Sequence, residues 1–233
     1  MDHRFFSDDP IDPAAPVRLT GDEFHHAVRV RRLRQDERVE IFDRDGNAFR
    51  ATVEEIGTDE VVLAVVGPAP SRESPLPLTL GLALIKPDKF ELVLQKGTEL
   101  GVTRFIPIVS ARTEVDPEKV MKRYDRWRKI IDESVKQCGR SMRPDLLPPS
   151  KLEEIIERGE DVYMLDPEGW DLGTRPVSAI LLVGPEGGFT DEERRIADEA
   201  GTRAVRIGPR RLRAETAAIA AVTLAQARWG DLQ

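Results

Sequence analysis

Two glycine-bearing turns in the C-terminal half of the sequence are the strongest candidates for a ligand site. One reads LLVGPEGGFTDEE over Leu181–Glu193, and the other reads RIGPRRLRAETAA over Arg206–Ala218. Each follows an apolar, strand-like run and precedes a helical pattern, so both are expected at the carboxyl edge of a sheet, where open α/β folds bind ligands. Their glycines would let a ligand approach the main chain closely. That both are plain strand-to-helix turns is the alternative, and it stays open at this point.

Several other kinds of site are disfavoured by the residues present. The sequence has no G-x-G-x-x-G after its first α/β strand, no G-x-x-x-x-G-K-[ST] and no G-x-S-x-G. This argues against NAD enzymes, P-loop NTPases, Rossmann-type methyltransferases and serine hydrolases. With one cysteine, Cys138, and three histidines, no zinc-ligand spacing exists, so we expect no metal site.

The distribution of charge points to a phosphate-bearing partner, although the net charge is −7 and the isoelectric point about 5.2. Two runs contain arginines and no acid, and a third, Lys119–Lys129, has Asp125 as its one acid. Any single run is equally well explained as a solvated surface. Three such runs in an acidic protein favour a surface that binds nucleic-acid phosphates. The arginines of the two acid-free runs are Arg29, Arg31, Arg32 and Arg34, and Arg203, Arg206, Arg210, Arg211 and Arg213.

The elements that must position these residues change character near residue 70. From Val39 onward, short β-branched runs alternate with turn residues, which predicts a small all-β unit. The Pro- and Ser-containing segment Gly67–Pro77 is typical of a linker between domains. After it, apolar strands alternate with helices, which predicts a mostly parallel α/β sheet. We expect helices over Lys89–Leu100, Glu118–Cys138, Asp191–Ala200 and Glu215–Trp229.

Local signals mark several helix ends. Two segments have the spacing of a capping box, and two glycines stand where a left-handed residue would stop a helix. The box pairs are Asp88 with Glu91 and Thr190 with Glu193, and the glycines are Gly101 and Gly201.

The last predicted helix, AETAAIAAVTLAQARW, is apolar on nearly every side. Such a helix is expected to be buried on more than one face, and its small residues would suit close packing against a second subunit. We therefore expect a homodimer. No apolar run approaches the roughly 20 residues of a membrane span, and the N-terminal residues lack the apolar core of a secretory signal. We expect a cytoplasmic protein without a membrane partner.

The two turns also resemble a known family. VGPEGGFTDEE followed by IGPRRLRAETAAIAA is similar to the C-terminal signature of the RsmE-type 16S ribosomal RNA (uracil-N3)-methyltransferases. The similarity extends through KPDKFELVLQKGTELGV, QCGRSMRP, RFF and HHAVRVRRLR, and so covers nearly the whole chain. It implies a PUA-like β-barrel that binds RNA over residues 1–70 and a SPOUT-type α/β domain with a trefoil knot over residues 71–233. It also implies a homodimer, S-adenosylmethionine as methyl donor, and 16S ribosomal RNA or the small ribosomal subunit as partner.

The resemblance gives the glycine turns a role in holding S-adenosylmethionine. In SPOUT proteins the methyl donor lies in a pocket of main-chain loops, where amide groups can read the adenine edge and an apolar side chain can cover its face. The matching positions in this sequence are Gly184, Pro185, Glu186, Gly187, Ile207, Gly208, Leu212, Arg213 and Ala214.

Methylation at N3 of uracil requires that the N3 proton be removed. A base near N3, or cationic donors near the flanking carbonyl oxygens, would favour this step. Arg213, Glu215 and Glu186 are therefore the candidate catalytic residues. Alternatively, Arg213 contacts phosphate and the acids stabilise the first turns of helices.

RNA recognition is expected from the barrel and from the QCGR segment. The candidate RNA-binding residues are Arg4, Arg29, Arg32, Gln137 and Arg140. The sequence departs from relatives at Lys136, where EQSGR would place a glutamate. If that acid has a mechanistic role, this chain lacks it, and a catalytically idle RNA-binding module of the same fold is one rival interpretation. A SPOUT methyltransferase acting on another RNA or base position is the other.

Overall fold

The computed structural model describes residues 3–43, 45–113, 120–158 and 161–232. Its described residues divide into two compact units. One comprises Met1–Glu73 with Val135–Arg143, and the other comprises Ser74–Ser134 with Pro144–Gln233. No helix among the described residues is long and apolar enough to span a membrane.

The first unit is built on a five-stranded sheet with the order β1-β3-β4-β5-β2. All neighbouring strands are antiparallel except β1 and β3, and β1 and β2 are the two edges of a half-barrel. The prediction of a small all-β region from Val39 onward is confirmed by three of these strands, and two short helices precede them. One face of the sheet packs on an apolar core that includes Phe5, Ile41 and Leu63. The elements are β1 His3–Phe6, β2 Val17–Leu19, α1 Gly21–His25, a π-helix over His26–Val30, β3 Arg38–Phe42, β4 Ala48–Ile56 and β5 Val61–Pro68.

The second unit contains a seven-stranded sheet in which every described pair of strands is parallel. The order is β12-β10-β11-β6-β7-β8, and β9 also pairs with β7. The predicted parallel α/β sheet is confirmed, and its parallel strands bring their carboxyl ends to one edge. The strands are β6 Leu78–Ala83, β7 Arg104–Val109, β8 Asp145–Leu146, β9 Ser150–Lys151, β10 Asp161–Trp170, β11 Ala179–Val183 and β12 Arg203–Val205.

The remaining helices are α2 Pro87–Glu99, α3 Tyr124–Cys138, α4 Leu152–Ile156, α5 Asp191–Glu199 and α6 Ala214–Trp229. Helix α3 ends at Cys138 as expected, but the predicted continuous helix is wrong, because Lys122 and Arg123 form a turn and α3 begins at Tyr124. The expected start at Glu118 lies outside the described residues. The glycine stops are confirmed, since Gly101 and Gly201 have φ of +86° and +80°.

The two predicted capping boxes have different outcomes. The box of Thr190 and Glu193 is confirmed at the start of α5, where each side chain bonds the main-chain N–H of the other. The box of Asp88 and Glu91 is wrong. Helix α2 begins with Pro87, two residues before the predicted start at Lys89. The missing N–H of proline suits the first helical position, and no side chain caps the helix.

Helix α6 is buried along one broad face within this chain, contrary to the expectation of burial on more than one face. Its opposite face is open, with Leu224 43% exposed. The buried positions are Ala214, Glu215, Ala218, Ala221, Val222, Ala225, Gln226 and Trp229. Packing of the open face against a second subunit stays a prediction.

Candidate functional site

Loops from three strands converge at the carboxyl edge of the parallel sheet. The loop after β11 is bonded to the loop after β7, because Nη1 of Arg112 donates to the carbonyl oxygen of Gly187 over 2.5 Å. It is also bonded to the loop after β12, because Nη2 of Arg211 donates to the carbonyl oxygen of Glu186 over 2.8 Å. The two glycine-bearing turns predicted to form a site are therefore brought together and joined directly.

A cavity of about 570 Å³ opens beside the β11 loop. It presents two cationic side chains, Lys86 and Arg112, and one exposed carboxylate, Glu186. Its size suits a small molecule or a single nucleotide. The lining residues are Leu84, Ile85, Lys86, Ala111, Arg112, Thr113, Glu186 and Gly187.

The glycines of the two turns leave space that other residues would fill. A Cβ on Gly184 would lie 3.1 Å from the main-chain nitrogen of Phe189, so a side chain there would push the β11 turn apart by a few tenths of an ångström. Gly208 has φ of +137°, which strongly favours glycine. Apart from its two chain neighbours, no atom of the described residues lies within 4 Å of a Cβ built on it. The main chain at Gly208 is consequently open to a ligand.

The predicted cofactor positions lie in these two loops. Gly184, Pro185, Glu186 and Gly187 follow β11, and Pro185 is buried. Ile207, Gly208, Leu212 and Arg213 follow β12, and Ala214 begins α6. Ile207 and Leu212 are half-buried, so part of each apolar surface faces outward. This set fits S-adenosylmethionine, since it offers open main chain and apolar side chains at one sheet edge.

The three candidate catalytic residues have different surroundings. Glu186 is exposed and lines the cavity. Arg213 is exposed at the N-cap position of α6, where its side chain makes no capping bond. Glu215 is only 8% exposed, and its Oε1 lies 3.4 Å from Nζ of Lys89. Glu186 and Arg213 are thus accessible to a substrate, whereas Glu215 is committed to an ion pair.

Two residues that position the site were not among the predicted site residues. Lys89 lies in the first turn of α2 and neutralises Glu215. Glu193 was predicted only as a capping residue, yet its Oε1 also accepts a hydrogen bond from the main-chain nitrogen of Ala111 over 2.9 Å. This bond ties the loop after β7 to the start of α5. No local sequence pattern could have signalled either contact.

Three of the predicted RNA-binding residues are exposed in the first unit. Arg29 lies in the last turn of the π-helix, and Arg32 follows it with a left-handed φ of +54°. Gln137 is exposed near the end of α3. These positions are compatible with contact to RNA.

Arg4 is buried, contrary to what an RNA-binding role requires. Its side chain is 6% exposed and its Nε donates to Oε2 of Glu40 over 2.9 Å. Nη1 donates to the carbonyl oxygens of Arg140 and Val135 over 2.6 and 3.2 Å. Arg72 also hydrogen-bonds Glu40, and this bond holds the pKa of the Glu40 carboxyl below its usual value. Arg4 is therefore a structural residue, and we do not retain it as an RNA contact.

Arg140 is also an interior residue. Its side chain is 4% exposed and pairs with Glu73, with 2.8 Å between Nε and Oε2. We do not retain Arg140 as an RNA contact either, because a guanidinium buried on a carboxylate is not available to a phosphate. The Glu73 carboxylate also accepts from the main-chain nitrogens of Ser141 and Met142, which fixes the segment after α3.

Lys136, which stands where relatives have a glutamate, forms an ion pair within the first unit. Lys136 pairs with Glu23, whose other carboxylate oxygen accepts from the main-chain nitrogen of Phe6. Cys138 is half-buried, and burial raises the pKa of its thiol. Among the described residues, no group of three or more histidine, cysteine, aspartate or glutamate side chains is placed to hold a metal ion.

Comparison with known proteins gives matches along nearly the whole chain. The RNA methyltransferase domain family matches residues 72–226, and the RNA methyltransferase PUA domain family matches residues 19–66. Ribosomal RNA small subunit methyltransferase E of Bacillus subtilis is 30% identical over 91% of this chain and 90% of its own length. The protein of the same name from Mycobacterium tuberculosis is 31% identical over 97% of this chain and 92% of its own length.

Solved structures match equally well. Ribosomal RNA small subunit methyltransferase E from Neisseria gonorrhoeae, bound to S-adenosyl methionine, has a TM-score of 0.91 at 31% identity, and all of both chains is covered. A Legionella pneumophila protein solved with its bound cofactor SAM has a TM-score of 0.89 at 33% identity, again over all of both chains.

Proposed function

Because this chain belongs to the ribosomal RNA small subunit methyltransferase E family, we propose that it methylates N3 of a uridine in 16S ribosomal RNA with S-adenosylmethionine. The α/β fold with an N-terminal PUA-like domain agrees with this family. The observation that carries the proposal is the joining of the two glycine-bearing loops at the carboxyl edge of the sheet. This is where an α/β fold binds its ligand.

The main chain at Gly184–Gly187 and Gly208, with Ile207 and Leu212, would hold the cofactor. S-adenosylmethionine supplies a methyl carbon activated by its sulfonium group. The open main chain at Gly208 lets a planar adenine approach its amides, and the half-buried Leu212 offers an apolar surface for the ring. Arg211 fixes the spacing of the two loops through the Glu186 carbonyl oxygen, so the pocket is preorganised.

The reaction needs a base for the N3 proton and a counter-charge for the uracil oxygens. As N3 bonds to the methyl carbon, the carbon–sulfur bond breaks and the N3 proton passes to a carboxylate. We assign that carboxylate to Glu186, because it is exposed at the cavity. Arg213 would donate to a uracil carbonyl oxygen and stabilise its developing negative charge. Glu215, held by Lys89, would position the start of α6 instead of taking a proton.

The PUA-like domain over residues 1–70 would bind RNA. The SPOUT domain over residues 71–233, which would contain a trefoil knot, would bind the methyl donor. The RNA contacts of the first part are Arg29 and Arg32, with Gln137 added from the end of α3. The open apolar face of α6 suits a second copy of the chain, so we propose a homodimer. Small ribosomal subunits are the proposed partner, and the cytoplasm, where they assemble, is the proposed location.

The cofactor site is tested by titrating S-adenosylmethionine into the parent chain and a Gly208→Val variant. The added side chain projects into the space left for the ligand, so binding should be lost. Gly201→Val is the matched control, because Gly201 also has a left-handed φ and open surroundings but lies at the end of α5. Equal affinity in the parent and Gly208→Val would contradict the site. RNA binding without any cofactor binding would favour the idle RNA-binding module.

A further inference from the structure

Trp170 is an unusually exposed aromatic residue. It ends strand β10, and 83% of its surface is exposed. The other two tryptophans, Trp127 and Trp229, are 1% and 2% exposed. Tryptophan is a highly buried residue type on average, because a large apolar surface is costly to hydrate. An indole left in solvent at the end of a strand needs a reason.

Trp170 lies beside a loop of unneutralised arginines. The main-chain nitrogen of Arg206 donates to the carbonyl oxygen of Trp170 over 3.0 Å. Arg206 and Arg210 are exposed, and neither side chain has an ion-pair partner among the described residues. Their charges are therefore available to an anionic ligand.

Two other exposed arginines of the same unit are neutralised. Arg195 pairs with Glu192 and Glu199 on the surface of α5, with its side chain 55% exposed. Arg203, three residues before Arg206, lies 3.3 Å from Asp161. Arg206 and Arg210 thus differ from these two arginines, whose charges are already paired.

We propose that Trp170, Arg206 and Arg210 bind the single-stranded RNA next to the target uridine. The indole stacks on a base, and the two guanidinium groups bind phosphates. Glu168 and Asp171 flank Trp170 and repel phosphate, so a neutral base lies over the indole while the backbone follows the arginines. This inference rests on the proposed function, because the surface adjoins the loop that carries Gly208.

The position of Trp170 suits a bound RNA strand whose target uridine has entered the site. A uridine has to be unstacked before its N3 can be reached, and its neighbours then lose their stacking partners. An exposed indole near the cofactor loop can replace one of those partners. Trp170 would thereby hold the RNA strand in the opened conformation.

The experiment uses tryptophan fluorescence with an unmethylated 16S ribosomal RNA transcript as the probe. Trp170 is the one exposed indole of the three, so emission quenched by RNA reports on it directly. Trp170→Ala should weaken RNA binding roughly 10-fold, and Trp170→Phe should weaken it less because a ring remains. The double variant Arg206→Gln, Arg210→Gln should lower the slope of log affinity against log salt concentration by about 2. Arg195→Gln, with its neutralised charge, is the matched control and should bind as the parent does.

Parent-like RNA affinity in Trp170→Ala would overturn the proposal. The proposal would also be overturned if the fluorescence emission of Trp170 changed with protein concentration and not with RNA. That result would place Trp170 between two copies of the chain. Titration of S-adenosylmethionine into each variant separates this proposal from the previous one. If the parent does not bind S-adenosylmethionine, the result counts against the methyltransferase function. If Trp170→Ala binds S-adenosylmethionine normally and its RNA affinity is unchanged, the result counts only against the proposed RNA-binding surface.

Discussion

Replacing Arg4 with methionine should loosen the first unit while leaving its RNA-binding surface unchanged. The Arg4 side chain is 6% exposed and makes three hydrogen bonds, one to the Glu40 carboxylate and two to the main-chain carbonyl oxygens of Val135 and Arg140. Methionine fills much of the apolar volume of the arginine stem and makes none of these bonds. The change therefore removes one partner of a buried ion pair.

Breaking such a pair costs about 3–5 kcal/mol, because the remaining charge is left in a poorly solvated place. The lower figure applies at Glu40, since Arg72 still bonds this carboxylate after the change. The Arg72 side chain is 43% exposed, so its compensation is worth only about 1 kcal/mol. We expect the free energy of opening of β1 and β3 to fall by about 3 kcal/mol.

Hydrogen–deuterium exchange followed by mass spectrometry measures this loss locally. A fall of about 3 kcal/mol should speed exchange roughly 100-fold in peptides that cover His3–Phe6 and Arg38–Phe42. Arg18→Met is the matched control in the same unit. Its partner is Glu60, but its side chain is 58% exposed, so the pair should contribute at most about 1 kcal/mol.

The result that would refute this reasoning is unchanged exchange together with weakened RNA binding by Arg4→Met. That combination would mean that Arg4 reaches RNA, as the sequence alone suggested. Arg29→Gln and Arg32→Gln should behave in the opposite way, with normal exchange and a weaker affinity for RNA that depends less steeply on salt.

Three further predictions concern pH, the α5 cap and turnover. The Arg72 hydrogen bond is the main cause of the lowered pKa of Glu40, so the ionised Glu40 carboxylate stabilises the fold above the ordinary carboxyl pKa, and this stability is lost as the pH falls. Thermal unfolding from about pH 7 to about pH 3 should therefore show the Tm values of the parent and of Glu40→Gln converging. Thr190→Ala should cost about 1 kcal/mol of stability, whereas Glu193→Ala should cost about 1–3 kcal/mol more because it also leaves the Ala111 N–H unpaired; equal shifts in Tm would contradict this. Arg213→Ala should lower kcat about 100-fold while S-adenosylmethionine affinity stays within about twofold, and unchanged turnover would rule out its catalytic role.

The features predicted correctly from sequence are those with a local cause. Alternation of apolar strands and helices predicted the parallel sheet, and the helix stops at Gly101 and Gly201 followed from the left-handed conformation that glycine tolerates. The capping box at Thr190 was found because both of its partners lie within one turn. At α2 the same pattern was misleading. Proline is favoured at the first helical position, so the helix starts at Pro87 and Asp88 lies inside it instead of capping it.

The sequence allowed us to predict which loops form the site, but not the hydrogen bonds that hold residues distant in sequence together. The two glycine turns were identified from their place between strand and helix. The bond between Glu193 and Ala111 joins residues 82 apart, and the bond between Arg4 and the Arg140 carbonyl oxygen joins residues 136 apart. Sequence spacing carries no information about such pairs. A basic residue near the N-terminus was therefore interpreted as a phosphate contact although the fold uses it internally.

Mass-spectrometric analysis of nucleosides tests the central proposal most directly. The purified chain would be incubated with S-adenosylmethionine and small ribosomal subunits that lack the modification, and the 16S ribosomal RNA would then be digested. We predict N3-methyluridine, with much less formed by Glu186→Gln and none without S-adenosylmethionine. A methylated ribose or another methylated base would contradict the assigned reaction, and no methylated nucleoside at all would contradict the enzyme.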